Sequence, residues 1–215
     1  MAVTKADEAY ARLRREIVTG AIDAETSLDE SELMRRFELG RTPVREALKR
    51  LALEQFVVWP ARRTPYVRTI GAGDLARLYE ARLILEEHTT SAAAERASDR
   101  ELDELDDILR NYVDRIAHNQ VYEAVELDHE LHYAVARASH NRYLAEAVRS
   151  LNCGSLRLWF VAHDRLGMSG TDADHRSIVD AIRRHDKDGA AAAAREHVHE
   201  SYRRQLRLHG SDRLR

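Results

Sequence analysis

Residues 41–48 read Arg41-Thr-Pro-Val-Arg-Glu-Ala-Leu48, and this stretch decides the N-terminal fold. Thr42 suits a helix cap, and Pro43 suits the first helical position, where a missing N–H costs nothing. Val44, Ala47, Leu48 and Leu51 recur at helical spacing and form one apolar stripe. Arg41, Arg45 and Lys49 repeat every four residues on another face. One side of this helix therefore seeks a core while another presents positive charge.

Upstream, Leu28, Leu33 and Phe37 mark a short helix near 30–37. Tyr10, Leu13, Ile17 and Val18 mark a longer one over 5–19 that stops at Gly20. Downstream, FVVW and YVRT within 56–69 are β-prone, and PARRTP between them is a turn. Residues 1–70 thus predict helix–helix–helix–hairpin, the order of a winged helix-turn-helix domain. Between positions 35 and 68 lie nine basic residues and three acidic ones, although the whole chain has a formal net charge of -3. A local basic zone on a near-neutral chain is the footprint of a small DNA-binding module. A solvated charged face is the blander meaning of such a run. A helix fits the major groove, and an arginine can hold guanine O6 and N7 with two hydrogen bonds. DNA contacts are expected from Arg35, Arg41, Thr42, Arg45 and Lys49. Arg62 and Arg63, at the hairpin tip, are placed to reach a minor groove or phosphates.

The 215 residues are 44% hydrophobic and 33% charged, enough to bury a core, which argues against disordered and fibrous classes. Only nine Gly and three Pro interrupt the chain, which favours helices. Charged residues break every apolar run, so no membrane-spanning helix is expected. The first fifteen residues hold no apolar stretch after their charges, which predicts no secretory signal. Cys153 is the single cysteine, so no intramolecular disulfide can form. A reducing, cytoplasmic location is expected, on the nucleoid when DNA is bound.

Residues 71–74 read as a linker, and 75–215 as an all-helical domain. Helical period predicts elements near 73–97, 99–118, 120–138, 141–163, 172–186 and 188–209, with a loop over 166–170 and Asp99, Asn141 and Asp172 as caps. The fold class is mostly α: a winged helix-turn-helix with a small hairpin wing, then an antiparallel bundle of six or seven helices.

Asp128 and His132 share a stripe with Val121, Val125 and Val135, four residues apart and on one face. His175 shares one with Ile178, Val179 and Ile182, and His197 with Ala190, Ala193 and Ser201. A single inward histidine is more often a satisfied core residue than a ligand. Four polar residues on three apolar stripes leave two readings open: a polar core, or a site for one divalent transition metal per chain, such as zinc, nickel or manganese. His129 and His132 are three apart, which excludes the zinc-protease pattern with histidines four apart. Arg82 lies on the stripe of Leu75, Leu78 and Leu85 and needs a carboxylate partner, either Glu86 four residues on or an anionic ligand. Asn152 and Arg157 are further pocket candidates, whereas Trp159, Phe160 and Cys153 read as core or interface residues.

Arg41 to Leu48, preceded by Leu28-Asp-Glu-Ser-Glu-Leu33, resembles the recognition-helix region of GntR-type bacterial transcription regulators. The sequence departs from that pattern at Glu38, where the turn glycine is usual, at Gly40, where serine or threonine is usual, and at Thr64, usually the wing glycine. The half from about residue 73 resembles the helical FCD effector domain of the FadR-type branch. Asp128, His132, His175 and His197 match that domain's metal-binding Asp and three His. The resemblance implies a homodimeric regulator, in the first instance a repressor, on palindromic operator DNA, without enzyme activity. It also implies a small carboxylate effector held beside the metal by Arg82, with Asn152 and Arg157 nearby. The rival class is a metal-dependent enzyme on a small carboxylate with a DNA-binding appendage. Against it, the four ligands are consumed, and Glu86 and Glu87 have no partner arrangement visible in the sequence.

Overall fold

The computed structural model describes residues 4–168 and 170–211, so Ser169, within the expected 166–170 loop, lies outside the described residues. The chain divides into two units, one ending at Ile70 and one beginning at Gly71.

The first unit opens with α1 (Lys5–Thr19), whose cap Thr4 and third residue Asp7 bond reciprocally as a capping box. Gly20 ends it in the left-handed region at φ 78°, a conformation that favours glycine. α2 (Glu30–Phe37) is capped by Asp29, whose side chain accepts from the Glu32 N–H at 2.9 Å. α3 (Arg41–Leu53) follows after a short turn. Glu38 closes α2 at φ 57°, so the position that departs from the glycine pattern still adopts the glycine-like backbone. β1 (Val57–Val58) and β2 (Tyr66–Val67) pair antiparallel, Val57 opposite Val67 and Val58 opposite Tyr66. Leu13, Ile17, Leu33, Phe37, Val44, Leu48, Leu51 and Val67 are buried. Full burial of each large aliphatic side chain contributes roughly 1.5–3 kcal/mol.

Thr42 is not the cap of α3. Gly40 takes that place without a side-chain bond, and Thr42 and Pro43 become the second and third helical residues. Pro43 remains tolerated there, because the first four N–H groups of a helix have no intrahelical acceptor.

The second unit consists, among the described residues, of six helices: α4 (Ala72–Arg96), α5 (Asp99–Ala117), α6 (Val121–Ala138), α7 (Arg142–Leu166), α8 (Thr171–Arg183) and α9 (Lys187–Ser211). α4 begins at Ala72, so most of the segment expected as linker is helix. Ser98, not Asp99, caps α5, through a capping box with Glu101. Gly170, not Asp172, precedes α8. The Ser98 hydroxyl, one residue upstream, accepts from the Glu101 N–H, and sequence alone does not separate neighbouring cap candidates. Asn141 caps α7 as expected, accepting from the N–H groups of Tyr143 and Leu144. A buried cluster that includes Leu102, Leu105, Leu109, Leu131, Ile178 and Ile182 ties α5, α6 and α8 together. α4 packs along α9 and against α6, which brings faces of α4, α6, α7, α8 and α9 to one region. Among the described residues no helix is long and apolar enough to cross a membrane.

Candidate metal centre and DNA-facing surface

α6 places Asp128 and His132 one turn apart, both buried. α8 adds His175, and α9 adds His197, both buried. One nitrogen from each of His132, His175 and His197 lies within 4.8 Å of the others. Two nitrogens on one ion, with bonds of about 2.1 Å, sit roughly 3–4 Å apart, so the three imidazoles come within about an ångström of the spacing of a shared ligand set. Asp128 completes the cluster: its Oδ1 is 2.9 Å from His175 Nε2 and its Oδ2 is 3.9 Å from His132 Nε2.

The outer nitrogens fix which ring atoms face inward. His175 Nδ1 is 2.7 Å from the Thr171 carbonyl oxygen, which can only accept, so Nδ1 carries the proton. His132 Nδ1 is 2.9 Å from Glu86 Oε2. His132 Nε2 and His197 Nδ1 are buried without a hydrogen-bond partner, and His175 Nε2 faces the Asp128 carboxylate, itself an acceptor. Buried polar atoms are rarely left so. Lone pairs of imidazole turned on a carboxylate repel it unless a proton or a cation lies between them. The donor set of three nitrogens and one carboxylate oxygen suits a divalent transition metal with open positions. On these observations the residues present fit such an ion.

Electrostatics follow the same geometry. Burial pushes the Asp128 carboxyl up, but the neighbouring His175, His132 and His197 outweigh it and hold the group well below the carboxylate range. Burial lowers His175, yet the Asp128 carboxylate raises it above its ordinary value. His197 is driven well down by burial and by the His175 and His132 rings. It is therefore a neutral imidazole with a lone pair to give.

Arg82, 1% exposed on α4, lies against this cluster. Its Nε donates to Glu86 Oε1 at 2.6 Å and its Nη2 to Oε2 at 3.4 Å, so the intrahelical pair is present. The guanidinium sits 4.6 Å from the Trp159 ring centre and 5.0 Å from that of Tyr79. Burial lifts the Glu86 carboxyl, but Arg82 and then His132 hold it well below its ordinary range, so it is ionised. Glu86 thus has two partners: Arg82 on its own helix, the pair offered by the sequence, and His132 across on α6, which the sequence did not show. Glu87 faces outward and pairs with Arg195.

A cleft of about 410 Å³, counted with its open mouth, reaches the cluster. Arg82, Asp128, Trp159, His175 and His197 line it, together with His163, Asp174, Glu200 and Arg204. Asn152 and Arg157 are not among the residues that line it. Asn152 is fully buried with neither amide atom hydrogen-bonded. His163 was missed. Burial pushes it down to about 4, leaving a neutral ring whose Nδ1 has no hydrogen-bond partner. Its signal was legible, four residues after Trp159 on the same stripe of α7. Cys153 is buried and 3.5 Å from His129 Nε2.

In the first unit Arg35, Arg41, Thr42, Arg45, Lys49, Arg62 and Arg63 are all exposed. Arg41, Arg45, Arg62 and Arg63 share one concave surface with Trp59 and Thr64, which joins α3 to the wing. Arg35, Thr42 and Lys49 lie outside that concavity among the described residues. Glu30 bridges two of the arginines, with Oε2 3.2 Å from Arg41 Nε and Oε1 3.3 Å from Arg45 Nη1. Arg45 also lies 5.5 Å from the Trp59 ring centre. Arg62 adopts φ 60° at the wing tip.

Residues 5–67 match the family described as bacterial regulatory proteins, gntR family, and residues 77–200 match the FCD domain. The chain is 35% identical over 125 residues to the Nta operon transcriptional regulator of Aminobacter aminovorans, an alignment covering 58% of this chain and 59% of that protein. It is 29% identical to the galactonate operon transcriptional repressor of Escherichia coli (strain K12), over 95% of this chain and 98% of that protein. Among solved structures, E. coli McbR/YncC superposes with a TM-score of 0.80 at 18% identity, over 97% of this chain and 100% of that one, a likeness of fold. The two matched segments cover most of the chain in order, and the chain belongs to the GntR family of bacterial regulatory proteins, with a C-terminal FCD domain.

Proposed function

We propose that the protein is a ligand-responsive repressor whose helical domain senses a small carboxylate beside a divalent metal. The observation that carries this is the convergence of three buried histidines and Asp128 next to a buried arginine on an open cleft. A metal bound there supplies a Lewis-acidic docking point for a carboxylate oxygen. Asp128, His132, His175 and His197 hold it, and Arg82 adds positive charge to the cleft wall. Arg82 is already paired with Glu86, so an entering carboxylate shares or competes for its guanidinium. The galactonate repressor among the relatives is named for an operon of a sugar acid, which supports a small acid as the ligand.

On the DNA side, Arg41 and Arg45 read bases from α3, while Thr42, Lys49 and Arg35 hold phosphates and Arg62 and Arg63 grip from the wing. A homodimer presents two such surfaces to a palindromic operator, and ligand binding changes their relative placement. Such coupling requires that the ligand prefer one of the two states. A cytoplasmic location accompanies this reading. The metal-dependent enzyme gains no support from Glu86, because both of its oxygens are engaged.

The test is selection of bound duplexes from fragmented genomic DNA, followed by titration of the selected site at fixed salt with and without a panel of small hydroxy and sugar acids. Sequence-selective binding released by one acid supports the proposal. Binding without sequence preference, or turnover of the acid, contradicts it.

A further inference from the structure

Glu86 is enclosed, with 5% of its side chain exposed; both oxygens accept from Arg82, and Oε2 also faces His132. Oε1 accepts from Arg82 Nε at 2.6 Å, while Oε2 lies 2.9 Å from His132 Nδ1. An acceptor at that place keeps the His132 proton on Nδ1 and leaves the lone pair on Nε2. That Nε2 is the buried, unpartnered atom that faces Asp128 at 3.9 Å.

The three histidines differ in what stands behind them. His175 is backed by a neutral carbonyl, that of Thr171, at 2.7 Å. Neither ring nitrogen of His197 makes a hydrogen bond among the described residues. Only His132 among the three is backed by a carboxylate in the described residues. A carboxylate behind a ligating imidazole fixes ring orientation and tautomer and makes the ring a better donor. Arg82 in turn fixes the carboxylate. Its guanidinium lies against the Trp159 and Tyr79 rings, and its planar fork holds Glu86 through two hydrogen bonds. A pair that served helix stability alone would not need its second oxygen turned across to another helix, and buried pairs are in any case poor sources of stability.

We propose that Glu86 is a positioning residue for the metal centre: anchored by Arg82, it holds His132 as the Nδ1–H form and aims Nε2 at the ion. This rests on the metal reading proposed above.

Zinc titration of the metal-free full-length chain against a competing chelator tests it, with the double variant Arg82→Met/Glu86→Leu and the control Glu87→Gln. The double variant removes both buried charges together, so neither is stranded. It is expected to weaken zinc binding by roughly 10–100-fold, while Glu87→Gln leaves the affinity unchanged. Long-range proton–nitrogen spectra of the metal-free wild type, at mildly alkaline pH, are expected to show His132 protonated at Nδ1. Unchanged zinc affinity in a folded double variant overturns the proposal. If the double variant does not fold, the wild-type spectrum decides, and a proton on His132 Nε2 overturns the proposal. A wild type that binds no zinc, nickel or manganese overturns the metal reading, and this inference falls with it. A wild type that binds normally beside an unaffected double variant overturns only the role of Glu86.

Discussion

At the scale of single residues, the two ends of the chain use arginine in opposite ways. Arg45 is about half exposed and is held loosely by Glu30, so its fork is free to exchange a carboxylate for a base edge. Arg45→Ala is expected to weaken binding to the selected DNA site by roughly 1–3 kcal/mol and to relax preference at one position. A fluorescence titration at fixed salt checks this, and equal affinity for wild type and variant refutes the contact. Arg82 is enclosed, and its charge cannot be removed without stranding Glu86. Arg82→Ala is expected to cost roughly 3–5 kcal/mol of stability, read from denaturant melts. If it remains folded, its DNA binding should no longer respond to the carboxylate. His132→Ala should lower metal content while the first unit stays folded, as circular dichroism and elemental analysis would show. Full metal retention would remove His132 from the ligand set. The stripe rule found Asp128 and the three histidines because each lies on an apolar face. It could not find the Glu86–His132 contact, which joins helices 46 positions apart.

At the scale of elements, caps set where helices begin, and most of the misplaced starts are shifts by a residue or two. Ser98 caps α5 because its hydroxyl accepts from the Glu101 N–H while the Glu101 carboxylate returns to the Ser98 backbone. Burial lifts the Glu101 carboxyl, but the Ser98 N–H and hydroxyl, and then His140, pull it from an ordinary 4.5 down to about 2. A depressed carboxyl contributes stability above its unfolded pKa and loses it as pH falls through the folded value. Glu101→Ala should therefore lower the melting temperature at neutral pH, and the deficit should shrink as pH falls from about 4.5 toward 2. A deficit of constant size across that range would contradict the ionised cap. The helices themselves were legible because periods of 3.6 residues run uninterrupted through α5, α6 and α8. The strands were legible as a hairpin but not in extent. Each is two residues long, too short for alternation to mark its ends.

At the scale of the whole molecule, a basic surface in one unit is proposed to read DNA under the control of a cleft in the other that would hold a metal. If a symmetric dimer binds DNA, protection should appear over two half-sites about one helical turn, or a multiple of it, apart. Footprinting checks this, and a single unsplit half-site would contradict the two-fold arrangement. A bound metal would join residues of α6, α8 and α9, so it should raise the melting temperature of the second unit, by an amount that grows with the logarithm of metal concentration over Kd. The central claim is the metal itself, and elemental analysis of protein purified without chelators tests it most directly, with His175→Ala alongside. About one divalent transition-metal ion per wild-type chain is expected, with a large loss in the variant. No metal in the wild type, even after reloading, would contradict it and leave Asp128 and the histidines as a polar core.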